Sequence, residues 1–209
     1  IVPRSYVGEL ICNDRLSTAV ANADGVTSVL ELCTGSGCLA ILAALAFPRA
    51  NITAIDISSD ALQVAQRNVE EYELEERVEL KQSDLYTNIA EKRFDLILAN
   101  PPYVRADAVA AFPPEYRAEP ELAHLGGHDG LDLVKRIIDG APRFITPSGS
   151  LVVEVGDARE ALEAAYPDLP FLWLDSETSQ GEVFCLTAED LANGAKPKAL
   201  KKAARRSKP

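Results

Sequence analysis

The sequence predicts an α/β fold: a mostly parallel sheet with helices on both faces and an antiparallel closing hairpin. Three observations carry this. Short apolar runs of strand character alternate with helical stretches from about residue 27 to residue 155, the pattern of strands joined by crossover helices. Residues that bear chemistry fall at the carboxyl ends of four successive strands, Gly35 with Gly37, Asp56, Asp84 and Asn100. Open α/β sheets bind ligands at that edge. Finally, two strand-like runs, 171–174 and 183–187, follow one another with no helix between them, as in an antiparallel hairpin.

The 209 residues, 47% hydrophobic and 25% charged, suit one domain with a real core and a short appendage. No apolar run reaches membrane-spanning length and no signal-peptide pattern opens the chain. A cytoplasmic protein without a membrane partner is expected. Cys12, Cys33, Cys38 and Cys185 stand at no zinc or redox spacing and read as reduced, mostly buried thiols. With only His124 and His128 beside them, no metal is expected.

The formal net charge is -11, yet seven positive and no negative residues lie between Lys196 and Lys208, which leaves -18 on the remainder. So acidic a body argues against duplex DNA as the main partner. The basic tail reads as a solvated end, with contact to ribosomal RNA as the alternative. The chain contains no methionine and opens Ile1-Val2-Pro3-Arg4, as expected of a processed chain or one that begins inside a larger protein. Oligomeric state is left open.

In order, residues 1–24 read as a linker segment containing a short helix, and 25–190 as the main α/β domain, with 191–209 as the tail. Thr27–Cys33 is a buried strand running into Thr34-Gly35-Ser36-Gly37 and an alanine-rich helix that stops before Pro48. Asn51–Asp56 is the second strand. Ser58 then caps a helix to about Tyr72, with Asp60 in its first turn and Leu62, Ala65 and Val69 at helical spacing. Strands follow at 77–81 and 94–99, then a proline-rich loop around Phe112-Pro113-Pro114. A helix is expected over 131–144, a buried strand at 151–155 and a short helix near 158–165. Phe171 and Trp173 alternate in the first hairpin strand and read as core.

The Gly35-Ser36-Gly37 turn lacks the third glycine of a dinucleotide fingerprint and is no Walker loop. Alone it is equally a tight strand–helix turn. Asp56 follows Gly35 by 21 residues, close to the ~20 at which an acid meets a ribose hydroxyl. Its alternative role, capping the next helix, is already filled by Ser58. Asp84 is either a surface acid or an acceptor for an adenine amino group.

At Asn100-Pro101-Pro102-Tyr103 the chain leaves a strand as a stiff corner, because paired prolines cannot continue a ladder. The Asn100 side-chain oxygen and the Pro101 carbonyl can then take both N–H bonds of a primary amide or amine, beside the flat face of Tyr103. The alternative is a simple turn. His124 and His128 read as loop contacts.

These motifs, Glu31-Leu32-Cys33-Thr34-Gly35-Ser36-Gly37-Cys38, Asp56-Ile57-Ser58, Ser83-Asp84-Leu85 and Asn100-Pro101-Pro102-Tyr103, resemble those of the protein glutamine N5-methyltransferases, the HemK family. The likeness continues through Glu119-Pro120 and Gly130-Leu131-Asp132 to Val153-Glu154-Val155-Gly156 and spans nearly all of residues 1–190. It implies a Rossmann-like class I S-adenosylmethionine-dependent methyltransferase releasing S-adenosylhomocysteine. Val2-Pro3-Arg4-Ser5 with Glu9-Leu10, and Pro113 to Arg117, look most like the PrmB branch, which acts on large-subunit ribosomal protein L-three.

The resemblance places Glu31, Thr34, Gly35 and Gly37 at the methionine end of the cofactor. Asp56 with Ile57 would hold the ribose, and Asp84 with Leu85 would border the adenine. Asn100 would face cofactor and substrate. Pro101, Pro102 and Tyr103 would line the substrate amide, with Arg4 and Glu9 shaping the pocket. The family's N-terminal helical recognition domain is expected to be absent, so that this chain binds cofactor but methylates its substrate poorly.

Release factors as substrates are the first alternative and adenine-N6 methylation of nucleic acid the second. The latter uses the same corner on a flipped base but wants a basic groove. A non-enzymatic docking role on ribosome precursors is the third.

Overall fold

The structure, a computed structural model, describes residues 5–20, 22–102 and 131–194. In chain order the elements are α1 (Tyr6–Cys12), α2 (Arg15–Ala19), β1 (Ser28–Leu32), α3 (Cys38–Ala46), β2 (Asn51–Asp56), α4 (Ser59–Glu71), β3 (Val78–Gln82), β4 (Phe94–Ala99), α5 (Asp132–Gly140), β5 (Ile145–Glu154), α6 (Arg159–Ala165), β6 (Leu172–Leu174), β7 (Val183–Thr187) and α7 (Ala188–Gly194). Continuous apolar runs such as Leu96-Ile97-Leu98-Ala99 are fully buried, as strands covered on both faces must be. They form one seven-stranded sheet in the order β3-β2-β1-β4-β5-β7-β6. β1 to β5 pair in parallel. β7 runs antiparallel to both β5 and β6, so the expected closing hairpin is present.

On one face α1 to α4 bury Val7, Leu10, Leu16, Leu39, Ala65 and Val69 against the sheet. On the other, α5, α6 and α7 bury Val134, Ile138, Leu162 and Leu191. Each such leucine contributes about 1.5–3 kcal/mol of burial, which fixes these helices to the sheet. Ser58 caps α4, accepting from the Ala61 amide at 3.2 Å, as expected. Phe171 and Trp173 pack edge-on against Phe184 at 5.0 and 5.8 Å.

The structure corrects several expectations. The helix expected over 131–144 ends at Gly140 and tightens into a 3-10 turn at Ala141–Arg143, because Pro142 cannot continue an α-helix. β5 begins at Ile145 rather than 151, since Ile145 pairs with Phe94 ahead of a register shift. Gly149 permits this: a methyl there would sit 3.0 Å from the Phe94 and Asp95 carbonyls. The domain does not stop at residue 190, because α7 runs to Gly194 and buries Leu191. Residues 6–20, assigned to the linker, supply two helices to the core, and the sequence reading missed α2. Of the four cysteines only Cys185 is buried; Cys12 and Cys38 are exposed and Cys33 half-buried, all unpaired. Cys12 and Cys38 sit at helix ends, where the chain meets solvent.

At the amino edge of the sheet, Asp95 ties three strands together. One carboxylate oxygen accepts from the amides and hydroxyls of Thr27 and Ser28, at 2.9–3.1 Å. The other accepts from the Thr146 hydroxyl at 3.1 Å. Burial works to raise its pKa, but these bonds outweigh it and hold it below the usual value. Among the described residues no helix is long and apolar enough to cross a membrane.

Candidate active site

β1 breaks at Cys33 because its backbone turns left-handed there, with φ of 61°, a conformation that costs a non-glycine residue about 1–2 kcal/mol. Gly35 and Gly37 follow with φ of 55° and 80°, which explains the glycine types directly. A side chain at Gly37 would press on Ala65 at 3.1 Å, whereas one at Gly35 would meet nothing within 4 Å. The backbone at Gly35 therefore faces open space.

The turn is held from every side. The Thr34 amide donates to Ile55 at 2.9 Å and the Gly37 amide to Thr34 at 2.9 Å. Asn68 of α4 donates to the Ser36 carbonyl at 2.8 Å. Asp56 accepts from the Gly35 amide at 2.8 Å and the Ser58 amide at 2.9 Å. Beneath the turn, Glu31 is 1% exposed and accepts from the Thr34 hydroxyl. Burial, partly offset by that bond and reinforced by the charge of Asp56, pushes the Glu31 carboxyl up to about 8. Burial, with Asp56 and Glu31 beside it, pushes the Cys33 thiol up to about 12, which leaves it unreactive. Ile57, 53% exposed, offers an apolar face next to Asp56.

Strand register aligns the remaining residues. Leu32 pairs with Ile55 and Ala99, and Ala99 with Val153. One position further out stand Asp56, Cys33, Asn100 and Glu154, in a row along the carboxyl edge. Asn100 is half-buried, Pro101 buried and Pro102 half-buried. Among the described residues nothing hydrogen-bonds the Asn100 side chain, so its acceptor is available.

Glu154, beside it, is 0% exposed and is the residue the sequence reading gave no role. It accepts from the Ser5 hydroxyl at 3.0 Å and from the Tyr6 and Val7 amides at 2.9 and 3.3 Å. These are unpaired donors of a helix start. Glu154 thus anchors α1 next to Asn100. Its signal was present: an acid ending an apolar strand, as at Asp56.

Two expected residues sit differently. Asp84 is engaged by Arg136 of α5, whose Nη2 lies 2.9 Å from both carboxylate oxygens. A cleft of about 320 Å³ opens beside this pair, lined by Asp84, Leu85, Tyr86, Arg136 and Phe144. Glu9 faces the β6–β7 loop, accepting from the Glu177 amide at 3.2 Å and the Thr178 hydroxyl at 2.9 Å. Arg4, Tyr103, His124 and His128, the proline-rich loop and most of the basic tail lie outside the described residues.

The family model for the methyltransferase small domain matches residues 15–112. A ribosomal protein uL3 glutamine methyltransferase of Bradyrhizobium diazoefficiens is 53% identical over 196 residues, covering 91% of this chain and 61% of that protein. Its namesake in Burkholderia pseudomallei is 50% identical over 198 residues, covering 91% of this chain and 64% of that protein. The chain therefore spans less than two thirds of these relatives. A solved methyltransferase structure from Pyrococcus furiosus superposes with a TM-score of 0.58 at 19% identity, covering 84% of this chain and 82% of that one. It shares the fold. The likeness first read from four short motifs thus extends over most of the sequence: 91% of the chain aligns with proteins named uL3 glutamine methyltransferases, and residues 15–112 match the methyltransferase small domain.

Proposed function

We propose that this domain transfers a methyl group from S-adenosylmethionine to the side-chain amide nitrogen of a glutamine in ribosomal protein uL3. The observation that supports this best is Asn100, a half-buried side chain without a partner among the described residues. It stands in one row with the Asp56-held glycine turn. The residues at that turn suit the cofactor. Open space over Gly35 admits a ligand against the backbone. Each Asp56 oxygen has spare acceptor capacity for a ribose hydroxyl beyond the amide it already binds. Asp56 favours a cation nearby, and Ile57 offers an apolar surface for a base. Leu85 lines the neighbouring cleft, where Arg136 on Asp84 leaves the adenine side less acidic than the sequence alone implied.

When bound, the cofactor supplies an electrophilic methyl on a positively charged sulfur. The protein's task is alignment, because an amide nitrogen is a poor nucleophile with a delocalised lone pair. The Asn100 side-chain oxygen and the Pro101 carbonyl accept the two N–H bonds of the glutamine amide and fix its plane. They also stabilise the positive charge that grows on that nitrogen. No titratable base is needed beforehand, because the methylated nitrogen is acidic and loses its proton afterwards. The resemblance assigns Tyr103 a place beside the amide and Arg4 a part in shaping the pocket.

The test uses labelled cofactor with uL3, a release factor and ribosomal RNA, each offered to this chain and to the Bradyrhizobium relative. Mass spectrometry should place the label on a glutamine of uL3. Label in RNA alone, or on the release factor in preference, would overturn the proposal.

A further inference from the structure

The loop Asp175–Glu182 joins β6 to β7, and because Val183 pairs with Glu154 it emerges at the carboxyl edge, on the Glu154 side of Asn100. Its backbone is firmly set. Glu9 holds Glu177 and Thr178, and Arg15 donates to the Asp175 carbonyl at 3.1 Å. The Gly181 amide donates to Asp175 at 3.0 Å, the Ser176 amide to the Ser179 carbonyl at 3.1 Å, and the Val155 amide to the Glu182 carbonyl at 2.8 Å. Against that order two atoms stand out. Among the described residues, the buried side-chain polar atoms without any partner are the Ser179 hydroxyl and one carboxylate oxygen of Glu182. Ser179 is 7% exposed.

Native proteins rarely leave buried polar atoms unpaired, and each one calls for an explanation. Two within four residues, on a loop pinned by α1 at the proposed substrate edge, share one explanation. A neighbouring cation does not supply it: Arg159 lies against Gly181, but is engaged by Glu163 at 3.2 Å and by the Trp173 ring at 4.8 Å. We infer that Ser179 and Glu182 form a subsite for a cationic side chain of the protein substrate, flanking the glutamine to be methylated. A carboxylate oxygen and a hydroxyl oxygen match the donors of an ammonium or guanidinium group. The loop itself carries Asp175, Glu177 and Glu182 and no basic residue, on a body of net charge -18 once the basic tail is set aside, so long-range attraction has the same sign. The inference rests on the methyltransferase reading for the identity of the ligand but not for its chemistry.

The test compares two fluorescein-labelled peptides, Lys-Lys-Gln-Lys-Lys and its norleucine counterpart, by anisotropy and, separately, by methyl transfer from labelled cofactor. This chain should bind the lysine peptide about tenfold more tightly, the scale of one charge-assisted bond. Glu182→Gln should abolish the preference and Ser179→Ala should reduce it, while Glu177→Gln, an exposed acid of the same loop, leaves it within about twofold. The melting temperature of Glu182→Gln should hold or rise, since the change removes a carboxylate whose buried oxygen has no partner; a structural role would lower it. Equal losses in Glu182→Gln and Glu177→Gln would reduce the effect to surface charge and overturn the inference, as would failure of the lysine peptide to bind. Preference that depends on Glu182 without methyl transfer to either peptide would uphold the subsite and count against the proposed reaction.

Discussion

At the amino edge of the sheet Asp95 receives five hydrogen bonds from Thr27, Ser28 and Thr146. At the carboxyl edge the polar groups divide. Those of the β1–β3 side are satisfied internally: Glu31 by Thr34, Asp56 by Gly35 and Ser58, Asp84 by Arg136. On the β4–β7 side Glu154 is likewise engaged, by Ser5, Tyr6 and Val7, but Asn100 has no partner among the described residues and Ser179 and Glu182 carry unpaired atoms. A fully paired carboxylate stabilises the fold, whereas an unpaired acceptor destabilises it until a ligand arrives. One edge is therefore built for stability, and the proposed function assigns the other to a cofactor on one side and a substrate on the other.

The sharpest break of that comparison is Asn100→Ala. It removes an acceptor that no described residue uses, so stability and cofactor affinity should stay near the parental values. Turnover should fall by roughly 10²–10³, as when one preorganised donor or acceptor to the transition state is lost. Single-turnover methylation beside cofactor titration separates the two. Parental turnover would reduce Asn100 to a corner residue.

Asp56→Ala should do the reverse. It releases the Gly35 and Ser58 amides as well as the proposed ribose acceptor. Cofactor binding should weaken by about 1.5–3 kcal/mol, while the rate at saturating cofactor stays close to parental. Unchanged affinity by calorimetry would remove Asp56 from the cofactor site.

This division explains what could be read in advance. Gly35, Gly37 and Asp56 were legible because their roles are local: positive φ in a strand–helix turn, and an acid ending an apolar strand 21 residues on. Asn100 was legible from the two prolines beside it. The sheet and its closing hairpin followed from apolar periodicity. Glu154 was not legible as an anchor, since its partners Ser5, Tyr6 and Val7 lie 147–149 residues away. Arg136 on Asp84 is 52 residues off. The roles of Glu9 and Glu182 depend on β7 reversing beside β5, which brings one hairpin loop against α1. Pairings of that separation are set by the fold, and no spacing along the chain encodes them.

The smallest expected effect tests the two edges through pH. Asp95 has a lowered pKa, so its contribution is present above the unfolded value near 3.8 and is lost as pH falls through its still lower folded value. Asp95→Asn should cost about 1–2 kcal/mol at neutral pH, reduced from the full worth of charged hydrogen bonds because the site is only half-buried. The difference from the parent should shrink below pH 4. Glu31 runs the other way. Its folded pKa is raised from 4.5 to about 8, so between those values the folded chain keeps a proton that the unfolded chain has released. Its contribution is complete below 4.5, declines as pH rises and is gone above about 8. Glu31→Gln, which stays neutral throughout, should flatten that decline. Urea midpoints of the three proteins from pH 3 to pH 9 read both slopes at once. If the parent and Glu31→Gln changed in parallel between pH 5 and pH 8, Glu31 would be ionised in the folded state, and the carboxyl edge would hold its buried acid as the amino edge holds Asp95.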